Sequence, residues 1–259
     1  MKSAIIAGTG IYAVPGFSFE QRTVETEYGS ASVNVGTKDG FELIFLARHG
    51  LDHTTPPHKI NFLANIKALQ LLGVKRVLAT YAVGSINPAI PPMGLGLLTD
   101  FLDFTHGRPL SFYNGGDSGL VHTNMDVPYC PALRKQILAL APQFGLSIHP
   151  ETVYVATNGP RFETPAEIRM YEKLGGDVVG MTGVPEVVLA RELGMHYAAV
   201  AYSINWAAGL EQSMTFVGGQ MEEIRQKLML LLVKTLQETG QLDCSCEQAL
   251  MIMQPPKNR

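Results

Sequence analysis

The sequence predicts an α/β domain built on a central mixed β-sheet flanked by helices. Three observations carry that expectation. Short β-type runs alternate with helix-type runs over most of the 259 residues, the pattern of a sheet with helices on its faces. Hydrophobic residues make up 46% of the chain, enough to bury a sizeable core. Glycine and small-residue turns follow several strand-type runs, and loops at strand ends are where such sheets place their sites.

Taken in order, Lys2 to Ala7 reads as a buried strand, and Ser32 to Gly36 with Phe41 to Ala47 reads as a hairpin around Asp39-Gly40. Asn61 to Leu72 reads as a helix, because Phe62, Ile66 and Leu69 share one face and Gly73 is placed to end it. Arg76 to Val83 is an expected strand, followed by a Pro- and Gly-rich stretch from Asn87 to Gly96. A helix is expected from Pro131 toward Phe144, stopping at Gly145. Thr152 to Thr157, Val178 to Met181 and Tyr197 to Ile204 are further strands; Pro165 to Leu174, Pro185 to Leu193 and about Gln220 to Glu238 are further helices. No repeat or linker interrupts this order. Residues 1–259 therefore read as a single domain with a peripheral tail from about 240 to 259.

Charged residues are 17% of the chain, against roughly 25% in soluble domains. That shortage implies surface covered by another subunit. A net charge of −3 and an isoelectric point near 6.2 provide no basic field for nucleic acid or an anionic membrane. The first apolar run ends in Gly8-Thr9-Gly10, too soon for a secretory signal. Runs such as Leu228 to Val233 fall far short of the ~20 residues of a membrane span, so a soluble, cytoplasmic protein is expected. Cys130, Cys244 and Cys246 are too few for a disulfide framework, and the Cys-Ser-Cys pair has no nearby Cys or His set with zinc spacing. They read as plain thiols, with redox activity of the pair as the other reading.

Five stretches carry candidate chemistry. Gly8-Thr9-Gly10-Ile11-Tyr12-Ala13 follows a strand and fits a dinucleotide pattern, but Pro15 and Gly16 would break the helix such a loop should open. An anion turn, a structural tight turn and a nicotinamide site all remain open there. Arg48-His49, with His53 and His58 close by, suits a phosphate clamp, a solvated loop or a weakly supported metal site. Asn158 to Glu167 holds an aromatic and an acidic side chain, Phe162 and Glu163, on a Gly-Pro turn that can grip a planar heterocycle; Thr164-Pro165-Ala166-Glu167 is also a good helix start. Gly180 to Val187 offers the Thr182 hydroxyl and exposed N–H groups to an anion, or is a plain strand-to-helix connection. Asn205, at the end of a strand, either fixes a turn or reads a ligand.

Together and in order, these stretches resemble the trimeric purine nucleoside phosphorylase and methylthioadenosine phosphorylase family. Gly-Thr-Gly at 8–10, Leu-Ala-Arg-His-Gly at 46–50, His53 with Asn61, Ala64 and Asn65, and Ala82 with Gly84-Ser85 carry the likeness. So do Gly-Pro-Arg-Phe at 159–162 and Gly-Met-Thr-Gly-Val-Pro-Glu-Val at 180–187, so the match spans residues 8 to about 225. The resemblance implies phosphorolysis of a purine nucleoside with inorganic phosphate as co-substrate, without metal or organic cofactor, in a homotrimer. It places Thr9, Arg48, His49, Ala82 and Thr182 around phosphate, Met181 beside the ribose, Phe162, Glu163, Asn205 and Ala207 at the base, and makes Asn205 and His49 the catalytic candidates. Tyr81 stands where the family often has Thr or Asn, which puts a phosphate contact there in doubt.

Positions at both the base end and the sugar end speak to the substrate. Relatives acting on 6-oxopurines resemble this chain in pairing Asn205 with Glu163, whereas relatives acting on 6-aminopurines carry Asp at 205 and at 207 and Ser at 163. A carboxylate only accepts, so Glu163 matches the N1–H of hypoxanthine or guanine, a hydrogen that adenine lacks. Met221 stands where ordinary nucleoside phosphorylases place a histidine for the 5′-hydroxyl, and an apolar residue there suits a 5′-methylthio group. Met214, Phe216 and Val217 are other candidate wall residues, with core packing as the alternative for each. His122 resembles the residue a neighbouring subunit contributes to the methylthio pocket. The expectation is conversion of methylthioinosine and phosphate into hypoxanthine and 5-methylthioribose 1-phosphate. A general 6-oxopurine phosphorylase and a methylthioadenosine phosphorylase stand as close alternatives, a nicotinamide-dependent enzyme and a silent nucleoside-binding protein as distant ones.

Overall fold

The computed structural model describes residues 1–210 and 215–253. Among the described residues, eleven strands and five α-helices follow one another in the order β1 (Lys2–Ala7), β2 (Phe19–Thr26), β3 (Gly29–Lys38), β4 (Phe41–Ala47), α1 (Phe62–Leu71), β5 (Val74–Ser85), β6 (Leu95–Asp103), β7 (Leu120–Thr123), α2 (Pro131–Leu140), β8 (Ile148–Ala156), α3 (Pro165–Lys173), β9 (Val178–Gly180), α4 (Gly183–Glu192), β10 (His196–Trp206), α5 (Glu222–Glu238) and β11 (Leu250–Met253). Nine of the strands form one mixed sheet in which β5 is the hub: it runs parallel to β1 and β10 and antiparallel to β9. Pairings β10–β6, β6–β8 and β8–β9 close a ring of strands with β5, and β1, β4, β3 and β2 extend from it as an open wing. β7 and β11 make a separate two-stranded sheet.

Local chemistry accounts for the elements the sequence foretells. β1 is buried over all but its first residue, which is why it reads as a continuous apolar run. The hairpin turn between β3 and β4 holds Asp39 and Gly40 at φ 50° and 77°, the left-handed pair that a two-residue turn between twisted strands requires. Asn61 caps α1 by accepting from the Ala64 N–H at 3.0 Å, and α3 starts on a reciprocal capping box between Thr164 and Glu167 with Pro165 at its first position. The core lies on both faces of the sheet. Phe62, Ile66 and Leu69 of α1 pack with Val187, Leu189 and Ala190 of α4 on one face, and Leu133, Ile137 and Leu140 of α2 pack with Leu228, Leu232 and Leu236 of α5 on the other.

The structure corrects the sequence in several places. The helix expected from Pro131 to Phe144 ends as an α-helix at Leu140 and tightens into a 3₁₀ turn over Ala141–Phe144, because Pro142 has no N–H to continue the ladder. The stretch taken as a Pro- and Gly-rich connection to Gly96 includes the start of β6. Gly96 is a strand residue whose missing side chain makes room for Thr152, which would lie 2.6 Å from a Cβ there. β2 escapes a sequence reading because it is a largely exposed edge strand without an apolar run. β7 and β11 escape it because each spans only four residues. In the tail, Cys246 and Ala249 are buried while Met251, Ile252 and Met253 are exposed. No helix among the described residues is long and apolar enough to cross a membrane.

Candidate active site

The parallel strands β1, β4, β5 and β10 deliver their carboxyl ends to one side of the sheet, where β9 also exits. A cavity of about 610 Å³ opens there, as the geometry of such sheets favours. Gly8 and Thr9 follow β1, Arg48 and His49 follow β4, Ala82 to Gly84 end β5, Met181 and Thr182 follow β9, and Ile204, Asn205, Ala207 and Ala208 close β10. Phe162, Glu163 and Phe216 line the remaining wall.

Arg48 anchors this arrangement although it is 2% exposed. Its Nε and Nη2 donate to the Glu186 carboxylate at 2.6 and 2.8 Å, and its Nη1 donates to the Thr80 carbonyl at 3.2 Å. The second hydrogens of Nη1 and Nη2 are left over, and Arg48 lines the cavity. Glu186 is 2% exposed and also accepts from the Tyr81 and Tyr197 hydroxyls at 2.9 and 2.6 Å. Burial works against the charge on Arg48, and the Glu186 carboxylate outweighs it, holding the guanidinium above its ordinary range. Burial and the same carboxylate push both phenols well up, so they remain neutral donors. Tyr81 therefore faces this hub, with the Arg48 guanidinium 4.6 Å above its ring, and does not line the cavity.

His49 sits beside it. Its Nδ1 lies 2.8 Å from the Thr55 carbonyl, and because a carbonyl only accepts, Nδ1 carries the hydrogen and Nε2 is left as the variable site. Burial lowers the His49 pKa, the Thr55 hydrogen bond opposes that, and the neighbouring Arg48 and His53 lower it further. The ring is thus neutral near pH 7 until an anion arrives. Gly8 explains the first glycine of the loop: a Cβ there would lie 2.8 Å from Arg48 Nη1 and 3.9 Å from His49 Nε2, so only a bare backbone leaves these groups open. No helix follows the loop; the chain continues through a turn into β2, which removes the context a nicotinamide site needs.

At the other end, Glu163 Oε1 accepts from Thr157 Oγ1 at 2.7 Å, which fixes the carboxylate while leaving its second oxygen over. Asn205 is 5% exposed and donates from Nδ2 to the Trp206 carbonyl at 2.7 Å. One amide hydrogen and the carbonyl oxygen remain for a ligand. Phe162 and Phe216 stand with ring centroids 6.0 Å apart.

Thr9, Arg48, His49, Ala82, Thr182, Met181, Phe162, Glu163, Asn205 and Ala207 therefore meet in one cavity. Two expectations do not hold as stated. Met221 is fully buried in the core with Ile11, Tyr202 and Leu228 and does not line the cavity; the turn before α5 points it inward, and Phe216 supplies an apolar wall instead. Val217 packs against that same core, and Met214 lies outside the described residues. The N–H groups of Thr182 and Gly183 both donate to the Tyr154 hydroxyl, at 3.1 and 3.2 Å, so only the Thr182 hydroxyl is left to face an anion. His122, expected to serve a neighbouring subunit's pocket and not its own, is exposed on β7, paired with Met251, and does not line this chain's cavity.

Sequence reasoning missed Glu186, Tyr197, Thr157 and Arg108. Glu186 had a signal: an acid inside the apolar run Val184 to Ala190 must be buried, and a buried acid needs a partner. Arg108 had none. It donates to the carbonyls of Asn158 and Met181 at 3.0 and 2.8 Å and to Val184, tying the base-side loop to the β9 exit. Nor did sequence spacing reveal that Cys130, His196, Cys244 and Cys246 converge, their ligating atoms all within 4.8 Å; the Cys-Ser-Cys pair, which has no Cys or His set near it in sequence, gains one through the fold. His49, His53 and His58 do not form such a group.

Two outcomes test this geometry. Glu186→Ala leaves a buried guanidinium unpaired and should destabilise the fold by about 3–5 kcal/mol, read from the urea midpoint; a loss below about 1 kcal/mol would show that the pair does not hold the site. Sulfate keeps its charge across neutral pH, so its binding isolates His49. An anion at Nε2 draws a proton onto the ring, so wild-type affinity should rise as pH falls from 8 toward the lowered His49 pKa, and His49→Gln should flatten that rise in calorimetry.

Known proteins supply the family. The model of the Phosphorylase superfamily matches residues 2–237. A 6-oxopurine nucleoside phosphorylase of Pyrococcus furiosus is 45% identical over 95% of this chain and 97% of its own. A probable S-methyl-5′-thioinosine phosphorylase of Methanopyrus kandleri is 45% identical over 95% and 96%. Methylthioadenosine phosphorylase from Schistosoma mansoni, solved with tubercidin, superposes with a TM-score of 0.83 at 30% identity over 92% of each chain. The chain belongs to the phosphorylase superfamily, as a pentosyltransferase of the purine nucleoside phosphorylase type.

Proposed function

We propose that the enzyme cleaves 6-oxopurine nucleosides with inorganic phosphate and prefers S-methyl-5′-thioinosine, releasing hypoxanthine and 5-methylthioribose 1-phosphate. The observation that carries the base assignment is the Glu163 carboxylate, held in the cavity by Thr157. It accepts N1–H of a 6-oxopurine, whereas adenine N1 carries no hydrogen and would turn a lone pair toward the carboxylate. Asn205 donates its remaining amide hydrogen to N7 or O6 as the base departs. The free hydrogens of Arg48, the Thr9 and Thr182 hydroxyls and His49 hold phosphate against the ribose. Bond cleavage puts positive charge on the sugar, and the clamped anion stabilises it before attacking the anomeric carbon, so positioning and electrostatics supply most of the acceleration. No residue of the cavity is required to form a covalent intermediate, and no metal or organic cofactor enters the step.

The sugar assignment rests on Phe216 and Phe162 in place of Met221. Burying a methylthio group against them contributes roughly 1–2 kcal/mol. A general inosine and guanosine phosphorylase is the second reading, favoured by His53 and Thr54 in the lining, which offer a 5′-hydroxyl hydrogen-bond partners. The relatives carry both names. We further place the enzyme in the cytoplasm as a homotrimer in which His122 reaches a neighbour's pocket. The exposed Leu120, Met251, Ile252 and Met253 around it support a covered face.

Phosphate-dependent kcat/KM for methylthioinosine, methylthioadenosine, inosine and guanosine tests the reading. Methylthioinosine should lead; inosine equal to it would establish the second reading, and methylthioadenosine in front would refute the role of Glu163. Glu163→Ser combined with Asn205→Asp should shift the ratio of 6-amino to 6-oxo activity upward by orders of magnitude, within the ~10⁴–10⁵ such polar mismatches command. For the shared site, light scattering should give a trimer, and His122→Ala should raise KM for methylthioinosine while leaving the oligomer intact; a monomer with full activity would exclude it.

A further inference from the structure

Cys130, His196 and the Cys244/Cys246 pair come from three distant parts of the sequence and lie outside the cavity, sharing no residue with it. Cys130 and Cys246 are buried, at 0% and 1% exposure, and His196 at 3%; Cys244 is half-buried. Cys130 Sγ lies 3.6 Å from Cys244 Sγ and 3.9 Å from His196 Nδ1, and His196 Nδ1 lies 3.1 Å from Cys244 Sγ. A disulfide needs sulfurs about 2.05 Å apart. Thiolates on a tetrahedral zinc at about 2.3 Å from each sit roughly 3.7 Å apart, which the Cys130–Cys244 distance matches, and all four ligating atoms lie within 4.8 Å of one another. The opposite ring nitrogen, Nε2, faces Glu247 Oε1 at 3.6 Å, the carboxylate–histidine relation that orients an imidazole toward a metal.

We propose that these four residues form a structural zinc site of the Cys₃His type. The set suits a thiophilic closed-shell divalent ion and fills all four tetrahedral positions, leaving none for substrate. Binding is a Lewis acid–base step without change of oxidation state: three thiols each lose a proton to solvent, the neutral imidazole binds through Nδ1, and the complex carries a net single negative charge. Two ligands stand on framework that is fixed without metal. His196 opens β10, and the Cys130 N–H donates to the Tyr197 carbonyl at 2.7 Å just before α2 begins. The other two belong to the segment after α5, so the ion ties that segment, and β11 beyond it, to the central sheet. Asn205 lies at the far end of the same strand, nine residues on and roughly 30 Å away at ~3.3 Å per residue; the site acts on stability and not on the reacting atoms.

Protein purified without chelator should contain close to one zinc per chain by mass spectrometry of the metal. Metal-free protein, prepared under reducing conditions, should take up Co²⁺ with the intense thiolate charge-transfer and tetrahedral ligand-field bands of a Cys₃His centre. His196→Ala and Cys130→Ser should hold less than about a tenth of the wild-type metal. Because either can also fail to fold, His196→Cys provides the control: it should keep zinc and move the cobalt spectrum to that of four thiolates. Chelation should lower Tm and speed proteolysis between residues 240 and 253. Three results would overturn the proposal: fewer than three free thiols in metal-free wild type with no metal in the native protein, no cobalt spectrum after reduction, or full zinc content in the Cys130→Ser and His196→Ala variants.

Discussion

A buried guanidinium has to be paired, and the rest of the site is arranged around the pairing of Arg48 with Glu186. The two are nearly inaccessible to water, where an unpaired charge would cost several kcal/mol. Their bidentate contact, supported by Tyr81, Tyr197 and the Thr80 carbonyl, joins the end of β4 to β5, β10 and the start of α4. These are the elements whose ends make the cavity. Fixing the fork also dictates its neighbours: Gly8 has to pass over it without a side chain, and His49, next in sequence, is turned so that its Nδ1 meets Thr55 and its Nε2 is left toward Gly8 and the cavity.

From that anchor the cavity divides its chemistry. One end presents the unsatisfied hydrogens of Arg48, small hydroxyls and a neutral imidazole, a donor-rich floor that is organised before any anion arrives. The other end presents a fixed carboxylate and a buried amide, with aromatic rings beside them. On the proposed reading the floor holds phosphate under the sugar and the carboxylate selects the base. The separation matters because the Glu163 carboxylate and a phosphate dianion would repel one another if they shared one end. Arg108 serves both halves indirectly, since its carbonyl contacts lock the Asn158 loop to the Met181 exit.

Much of this was legible in the sequence. Strand-end loops carrying Gly8, Arg48, Met181 and Asn205 could be placed because each follows a short apolar run, and turn and capping residues such as Asp39-Gly40 and Thr164-Pro165 mark their own geometry. What could not be read is whatever depends on which strands become neighbours. Glu186 and Arg48 are 138 residues apart, and Cys130 and Cys244 are 114 apart, so no local spacing announces either cluster. Met221 failed for a subtler reason: the short turn before α5 decides whether its side chain faces the cavity or the core, and helix periodicity does not extend into that turn. β2, β7 and β11 were hidden because exposed or four-residue strands need no apolar run.

The central claim is that this cavity brings phosphate to the anomeric carbon of a 6-oxopurine nucleoside. Phosphorus NMR of the enzyme with phosphate and methylthioinosine tests it most directly. A sugar 1-phosphate resonance should grow in step with hypoxanthine release while inorganic phosphate declines equally. Hypoxanthine appearing with the phosphate signal unchanged, or no cleavage of any 6-oxopurine nucleoside, would contradict it.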